Sequence, residues 1–263
     1  MTVDAFLKRY GPWALVAGAS EGIGEAFARE LARRGLNLVL VARRKEPLEA
    51  AAREIAAMAG VQVRCIPLDL ARVYAAAAIE KELAGLDVGL VVYNAALAPA
   101  GEFLEIPLDE QLASIDVNVR GPLEMAHHFG QRMASRGSGG IVLMSSLTAF
   151  QGSPFVATYG ASKSFLLSLA EGLWFELAPR GVDVLAVCAG ATRTPNYLRR
   201  ARGRAPGELP PEQVASEALA RLAQGPSMIP GRFNRFASQL MRRLLSRRAT
   251  IRIMGAQTRH LAR

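Results

Sequence analysis

Cysteine is nearly absent: Cys65 and Cys188 are the whole complement of 263 residues. Two thiols inside apolar runs supply neither a disulfide framework nor a thiolate metal cluster. Apolar runs are short as well, none reaching the ~18 uninterrupted residues that span a bilayer. The opening MTVDAFLKRYG lacks the apolar core of a secretory signal, which points to a cytoplasmic protein. Glycine (24) and proline (14) stand at ordinary levels, excluding collagen-like and low-complexity polymers. Lysine is scarce, with only Lys8, Lys45, Lys81 and Lys163. Acid is missing from residue 231 onward, where nine arginines fall. Taking those nine from the 32 basic residues leaves 23 against 23 acidic ones in 1–230, so the net charge of +9 belongs to the tail. A neutral body and a tail poor in aromatics argue against a nucleic-acid footprint.

What is present is a 51% hydrophobic chain of the size of one large α/β domain. Apolar runs recur as WALVA (13–17), LVLVA (38–42), VQVRCI (61–66), VGLVVY (88–93), IVLMS (141–145) and VDVLAVC (182–188), with a weaker SMIP at 227–230. Continuous rather than alternating apolar residues mean strands covered on both faces, hence a parallel sheet. Between them lie helical patterns such as residues 25–35 and 46–60, each ending at a glycine suited to a C-cap. The alternation predicts a doubly wound sheet with right-handed crossovers. Residues 199–211, rich in Arg, Gly and Pro, read as a mobile surface loop. The domain is expected over 1–230, with 231–263 as its basic helical extension.

The first strand runs into Gly18-Ala-Ser20-Glu21-Gly22-Ile23-Gly24 at the start of a helix. Bare glycines let the backbone approach a pyrophosphate, and a helix N-terminus offers unpaired N–H groups and a positive dipole end. The spacing Gly-x-x-x-Gly-x-Gly is a weak signal alone; its place after an apolar strand gives it weight. After the second strand, where a carboxylate would grip a ribose 2′-hydroxyl, stands Arg43, followed by Arg44 and Lys45. A guanidinium there favours a 2′-phosphate, although a solvated basic turn reads the same way, and Glu21 adds no positive charge.

Tyr159 and Lys163 lie four apart, on one face of a helix, where an ammonium can lower a phenol pKa and make it a usable acid and base. Ser146, thirteen residues upstream, follows the fifth strand and can polarise a carbonyl beside Tyr159. Taken alone, Ser146 would be a turn or helix cap. His127 and His128 lack partners at ligand spacing, and His260 reads as solvated, so no metal site is expected.

With these residues in order, the chain resembles the short-chain dehydrogenase/reductase family over residues 10–230. The resemblance also draws on Asp69-Leu70, Asn94-Ala95-Ala96, Asn118-Val-Arg-Gly121 and AGATRT at 189–194. It implies a Rossmann-like sheet ordered 3-2-1-4-5-6-7 and a nicotinamide-dependent carbonyl reductase. In that scheme Tyr159 protonates the oxygen, Ser146 orients it, and Lys163 holds the ribose and tunes Tyr159. By the same resemblance Asp69 and Leu70 meet the adenine, Asn94, Ala95 and Ala96 line the adenosine side, and Thr192 and Thr194 contact the nicotinamide and diphosphate side. Asn118 would kink its helix and hold a water leading from Lys163. Ala17, Tyr93 and Ala189 depart from the family pattern in supporting turns.

With Arg43, the implied cofactor is NADP(H). Loop residues Leu97, Leu147, Phe150, Phe155, Tyr197 and Leu198 favour a bulky apolar ketone, such as a 3-oxoacyl thioester or a steroid, over a sugar. The rival reading is an NADP(H)-binding sensor or scaffold with little turnover, which would not need the Ser-Tyr-Lys-Asn set. A homodimer or homotetramer is expected from the family. In the tail, Phe233, Phe236, Ala237, Leu240, Met241, Leu244 and Leu245 recur at helical spacing among arginines. Such a stripe either packs on the domain or another subunit, or lies weakly on an anionic membrane surface.

Overall fold

The apolar runs form strands because their β-branched and leucine side chains are buried on both faces of a pleated sheet. A computed structural model describes residues 2–83, 85–200 and 203–259, the Arg200 side chain excepted. His260 and Arg263 lie outside the described residues. The strands are β1 (Trp13–Ala17), β2 (Asn37–Ala42), β3 (Val63–Pro67), β4 (Val88–Tyr93), β5 (Gly139–Ser146), β6 (Val182–Ala189) and β7 (Ser227–Met228). They make one parallel sheet in the order β3-β2-β1-β4-β5-β6-β7, the topology expected. The register joins Val16 to Leu40 on one side and to Val92 on the other.

Successive strand residues feed opposite cores. Ala14, Val16, Leu38, Leu40, Leu90, Val92, Leu185 and Val187 pack beneath α1 (Val3–Tyr10), α2 (Gly22–Arg33), α3 (Lys45–Ala59) and α9 (Pro211–Arg221). Leu15, Val39, Val41, Val91, Ile141, Leu143 and Val184 pack beneath α4 (Ala75–Leu83), α6 (Gly121–Arg136) and α7 (Ala157–Leu177). Gly60 caps α3 in the left-handed region (φ 67°), as its place in the sequence foretold. At the lower edge, Asp183 accepts from the Tyr10 hydroxyl at 2.6 Å and from the Arg9 guanidinium at 2.5 and 2.8 Å, pinning α1 to β6.

Two stretches differ from expectation. Within 199–211, the described residues are not a loose loop. The short α8 (Pro195–Arg200) runs into its first two residues, Leu209 forms a parallel bridge with Thr192, and Gly207 gives its carbonyl to Asn234 at 2.9 Å. In the tail, α10 (Arg232–Leu244) turns polar side chains inward. Asn234 is buried, bonding Gly207 and Pro230, and Arg235 pairs with Glu217 at 3.1 Å. Phe233, Phe236, Leu240 and Leu244 are exposed, and only Ala237 and Met241 of the stripe are half-buried. α11 (Arg247–Thr258) folds back, with Thr258 donating to the Pro154 carbonyl at 2.9 Å.

Candidate active site

The carboxyl ends of β1, β4, β5 and β6 open into a cleft of about 520 Å³. It lies where the sheet order reverses on either side of β1, the usual ligand crevice of an open α/β sheet. Gly18, Ser20, Glu21, Gly22, Ile23, Arg43, Asp69, Leu70, Asn94, Ala95, Ala96, Ser146, Tyr159, Lys163, Thr192 and Thr194 all line it. Of the site residues expected from sequence, only Gly24 and Asn118 stand behind the wall.

The glycine turn is built by close approach. Gly18 adopts φ 81°, and a Cβ on it would come within 2.6 Å of the Ala95 nitrogen. The Asn94 amide group donates to the Gly18 carbonyl at 3.0 Å, so this side chain holds the turn. A Cβ on Gly24 would press into that same carbonyl, which explains a glycine that faces no ligand. Gly22, at φ 65°, admits Thr194 to within 2.8 Å of where its Cβ would be. The first N–H groups of α2 have no partner along the helix, and its positive end faces the cleft.

Asn118 sits in a π-helical turn, Asp116–Arg120, between α5 (Leu108–Ile115) and α6, an irregularity at the residue where a kink was expected. Its side chain is spent on structure. The amide donates to Leu97, Ser114 and Ser162 at 2.7 to 3.1 Å, and its oxygen accepts from Leu97 N at 2.8 Å. Sequence reasoning missed what fixes this turn: the buried Tyr93 hydroxyl donates to the Val117 carbonyl at 2.7 Å. A tyrosine in the place of the family's usual Asn was its only signal.

At the catalytic end, the Ser146 hydroxyl and the Tyr159 phenol share the cleft, and Ser146 Oγ accepts from Thr148 N at 3.2 Å. The Lys163 ammonium stands 5.4 Å from the centre of the Tyr159 ring and donates to the Met144 carbonyl at 2.7 Å. Ser145, also unforeseen, binds the Lys163 carbonyl at 2.8 Å. Burial pushes Lys163 down to about 8. Burial also raises the Tyr159 phenol, with the Ser146 hydroxyl pulling it down. Here burial outweighs the Ser146 contribution, so the phenol lies above its ordinary value rather than below it as expected. Of the apolar residues expected around the substrate, Leu97 and Tyr197 line the cleft. Leu147 stands behind Gly190, Phe150 lies under Arg242, and Leu198 is exposed. Phe155 does not line the cleft; it takes a left-handed φ of 62°.

The family model for short chain dehydrogenase matches residues 12–203. The chain belongs to that family. A 7beta-hydroxysteroid dehydrogenase of Collinsella aerofaciens is 35% identical over 234 residues, 87% of this chain and 89% of that protein. A structure described under the heading of 7beta-hydroxysteroid dehydrogenase stereoselectivity superposes with TM-score 0.90 at 33% identity, covering 97% of this chain and all of that one. A short-chain dehydrogenase from Sphingobium yanoikuyae in complex with NADPH superposes with TM-score 0.76 at 31% identity, covering 94% of each.

This short-chain dehydrogenase is an NADP(H)-binding oxidoreductase, and its residues suit that cofactor. The cradle at Gly18 and Gly22, where a Cβ would intrude, and the α2 N-terminus suit a pyrophosphate. Arg43 and Arg44 suit the 2′-phosphate end. When bound, the cofactor supplies or takes up a hydride. In that chemistry Tyr159 would give a proton to, or take one from, the substrate oxygen, and Ser146 would hold that oxygen by a hydrogen bond. Lys163, where charged, would bind the ribose hydroxyls and favour the phenolate of Tyr159, easing its proton loss. Among the described residues no cluster of metal-ligating side chains occurs.

Replacing Tyr159 with Phe keeps the ring and removes the transferable proton. Turnover is expected to fall about 10²–10⁴-fold while NADPH titration changes little; near wild-type turnover would refute the proton assignment. Lys163 is charged below about pH 8 and neutral above it. Affinity for NADP(H) is therefore expected to weaken as pH rises through that value, by on the order of 10–100-fold. Fluorescence titrations of wild type and Lys163→Met test this, the variant giving a flat profile.

Proposed function

We propose that the chain reduces a ketone, or oxidises the matching secondary alcohol, on a bulky apolar molecule of the hydroxysteroid class, preferring NADP(H) to NAD(H). One observation carries this reading: Ser146, Tyr159 and Lys163 share a single cleft with Arg43, at the position where an acid would select NAD. Leu97, Ala113, Val117 and Tyr197 give that cleft an apolar wall. The hydroxysteroid dehydrogenase relative supports the steroid over the 3-oxoacyl thioester, which the same wall would admit. An intact set of proton-transfer residues argues against an NADP(H) sensor without turnover. We read the protein as a cytoplasmic homodimer or homotetramer; the association is supported by exposed Leu108, Leu112, Trp174 and Phe175 on α5 and α7.

NADPH oxidation across a panel of steroid ketones, 3-oxoacyl thioesters, sugars and small oxoacids tests the activity. Turnover with the steroids is expected; none with any ketone would overturn the reading. Arg43→Asp is expected to weaken NADP(H) binding on the order of 30–100-fold and raise relative use of NAD(H). Equal wild-type affinities for the two cofactors would remove the preference.

A specific observation favours a peripheral role as well. No described helix is long and apolar enough to cross a membrane, yet α10 exposes Phe233, Phe236, Leu240 and Leu244. Arg232, Arg243, Arg247 and Arg248 border this stripe without an acidic partner among the described residues. We take α10 as a weak contact for an anionic bilayer surface. Sedimentation with anionic vesicles is expected to carry the protein down at low salt and release it at high salt. Binding indifferent to lipid charge and salt, or absent, would leave the stripe to a second copy of the chain.

A further inference from the structure

Glu21 occupies the N-cap position of α2, yet its side chain makes no capping bond there. The carboxylate reaches instead to two arginines from distant parts of the chain. One oxygen lies 3.0 Å from the Arg44 guanidinium, beyond β2; the other lies 3.8 Å from Arg199, on α8. Neither arginine has another ion-pair partner among the described residues.

α8 itself rests on the glycine turn. Gly22 has no side chain to keep Thr194 away, and Thr194 starts the helix by accepting from Tyr197 N at 3.1 Å. Thr192, Thr194, Asn196 and Tyr197 therefore form one wall of the cofactor cleft, with Glu21, Arg43 and Arg44 across from them. One carboxylate joins the basic end of the cleft to the segment that walls it.

We infer that Glu21 is a latch coupling recognition of the cofactor's 2′-phosphate to closure of α8, an inference that rests on the NADP(H) preference proposed above. A phosphate monoester carries close to two negative charges at neutral pH. Placed at Arg43 and Arg44, it shares the Arg44 guanidinium and loosens that group's hold on Glu21. The carboxylate then turns its charge to Arg199, and α8 is drawn down. NAD(H) presents a neutral hydroxyl instead. Arg44 stays with Glu21, and α8 is held only by the longer contact. Glu21, an acid beside a phosphate site, thus acts as a sensor of the phosphate rather than as a ligand for it.

Arginines around α8 supply the readout. Trypsin cleavage after the exposed Arg204, close beyond α8, is followed in wild type and in the variants Glu21→Gln and Arg199→Gln, all of which keep that site. At saturating cofactor, NADP⁺ is expected to slow this cut about two- to fivefold more than NAD⁺ in wild type, the scale of an exposed ion pair. In both variants the two cofactors are expected to protect equally, while fluorescence titration still shows NADP⁺ binding the tighter. A protection difference that survives in both variants, or is missing from wild type with the NADP⁺ preference intact, would overturn the latch alone. Equal affinity of wild type for the two cofactors would strike the preference itself and take the latch with it.

Discussion

The carboxyl end of β1 is stitched to both of its neighbours, and the site depends on that junction. The Ala17 carbonyl accepts from Asn94 N and Ala95 N, each at 2.9 Å, while Gly18 N donates to the Val41 carbonyl at 2.7 Å. The chain leaves β1 through a space with no room for a side chain. Because β2 and β4 flank β1 and their connections leave on opposite faces, the crevice above this junction is open. Arg43 and Arg44 border it from β2, Asn94 from β4, and the α2 N-terminus from β1 itself. The catalytic groups follow on β5 and α7, one strand further on.

Much of this was legible in the residues. Buried strands announce themselves as unbroken apolar runs, and a phenol four residues before an ammonium is a spacing that only a helix turns into a contact. The order of the sheet came from resemblance, whereas strand positions came from the runs. Strand ends moved by a residue or two, as β5 shows by beginning at Gly139, because edge hydrogen bonds rather than hydrophobicity decide where pairing stops.

The rest depended on tertiary encounters that no local pattern encodes. Whether Lys163 lowers the Tyr159 phenol depends on where the ammonium points, and the Met144 carbonyl sets that. Residues 199–211 look loose by composition, yet Asn234 reaches back to them across 27 residues. The α10 stripe was visible as periodicity, but periodicity is silent about which face turns inward. Here the inner face is polar, since Asn234 and Arg235 find carbonyls and a carboxylate to satisfy them.

The Tyr93 phenol carries a consequence for how this chain can vary. Its oxygen fills the space where any side chain on Gly121 would begin, and it binds the turn that presents Asn118. The two positions, 28 residues apart, share one volume. A smaller residue at 93 vacates that volume and strips Val117 of its donor; a larger one at 121 evicts the phenol. In this chain a tyrosine at 93 thus requires a glycine at 121.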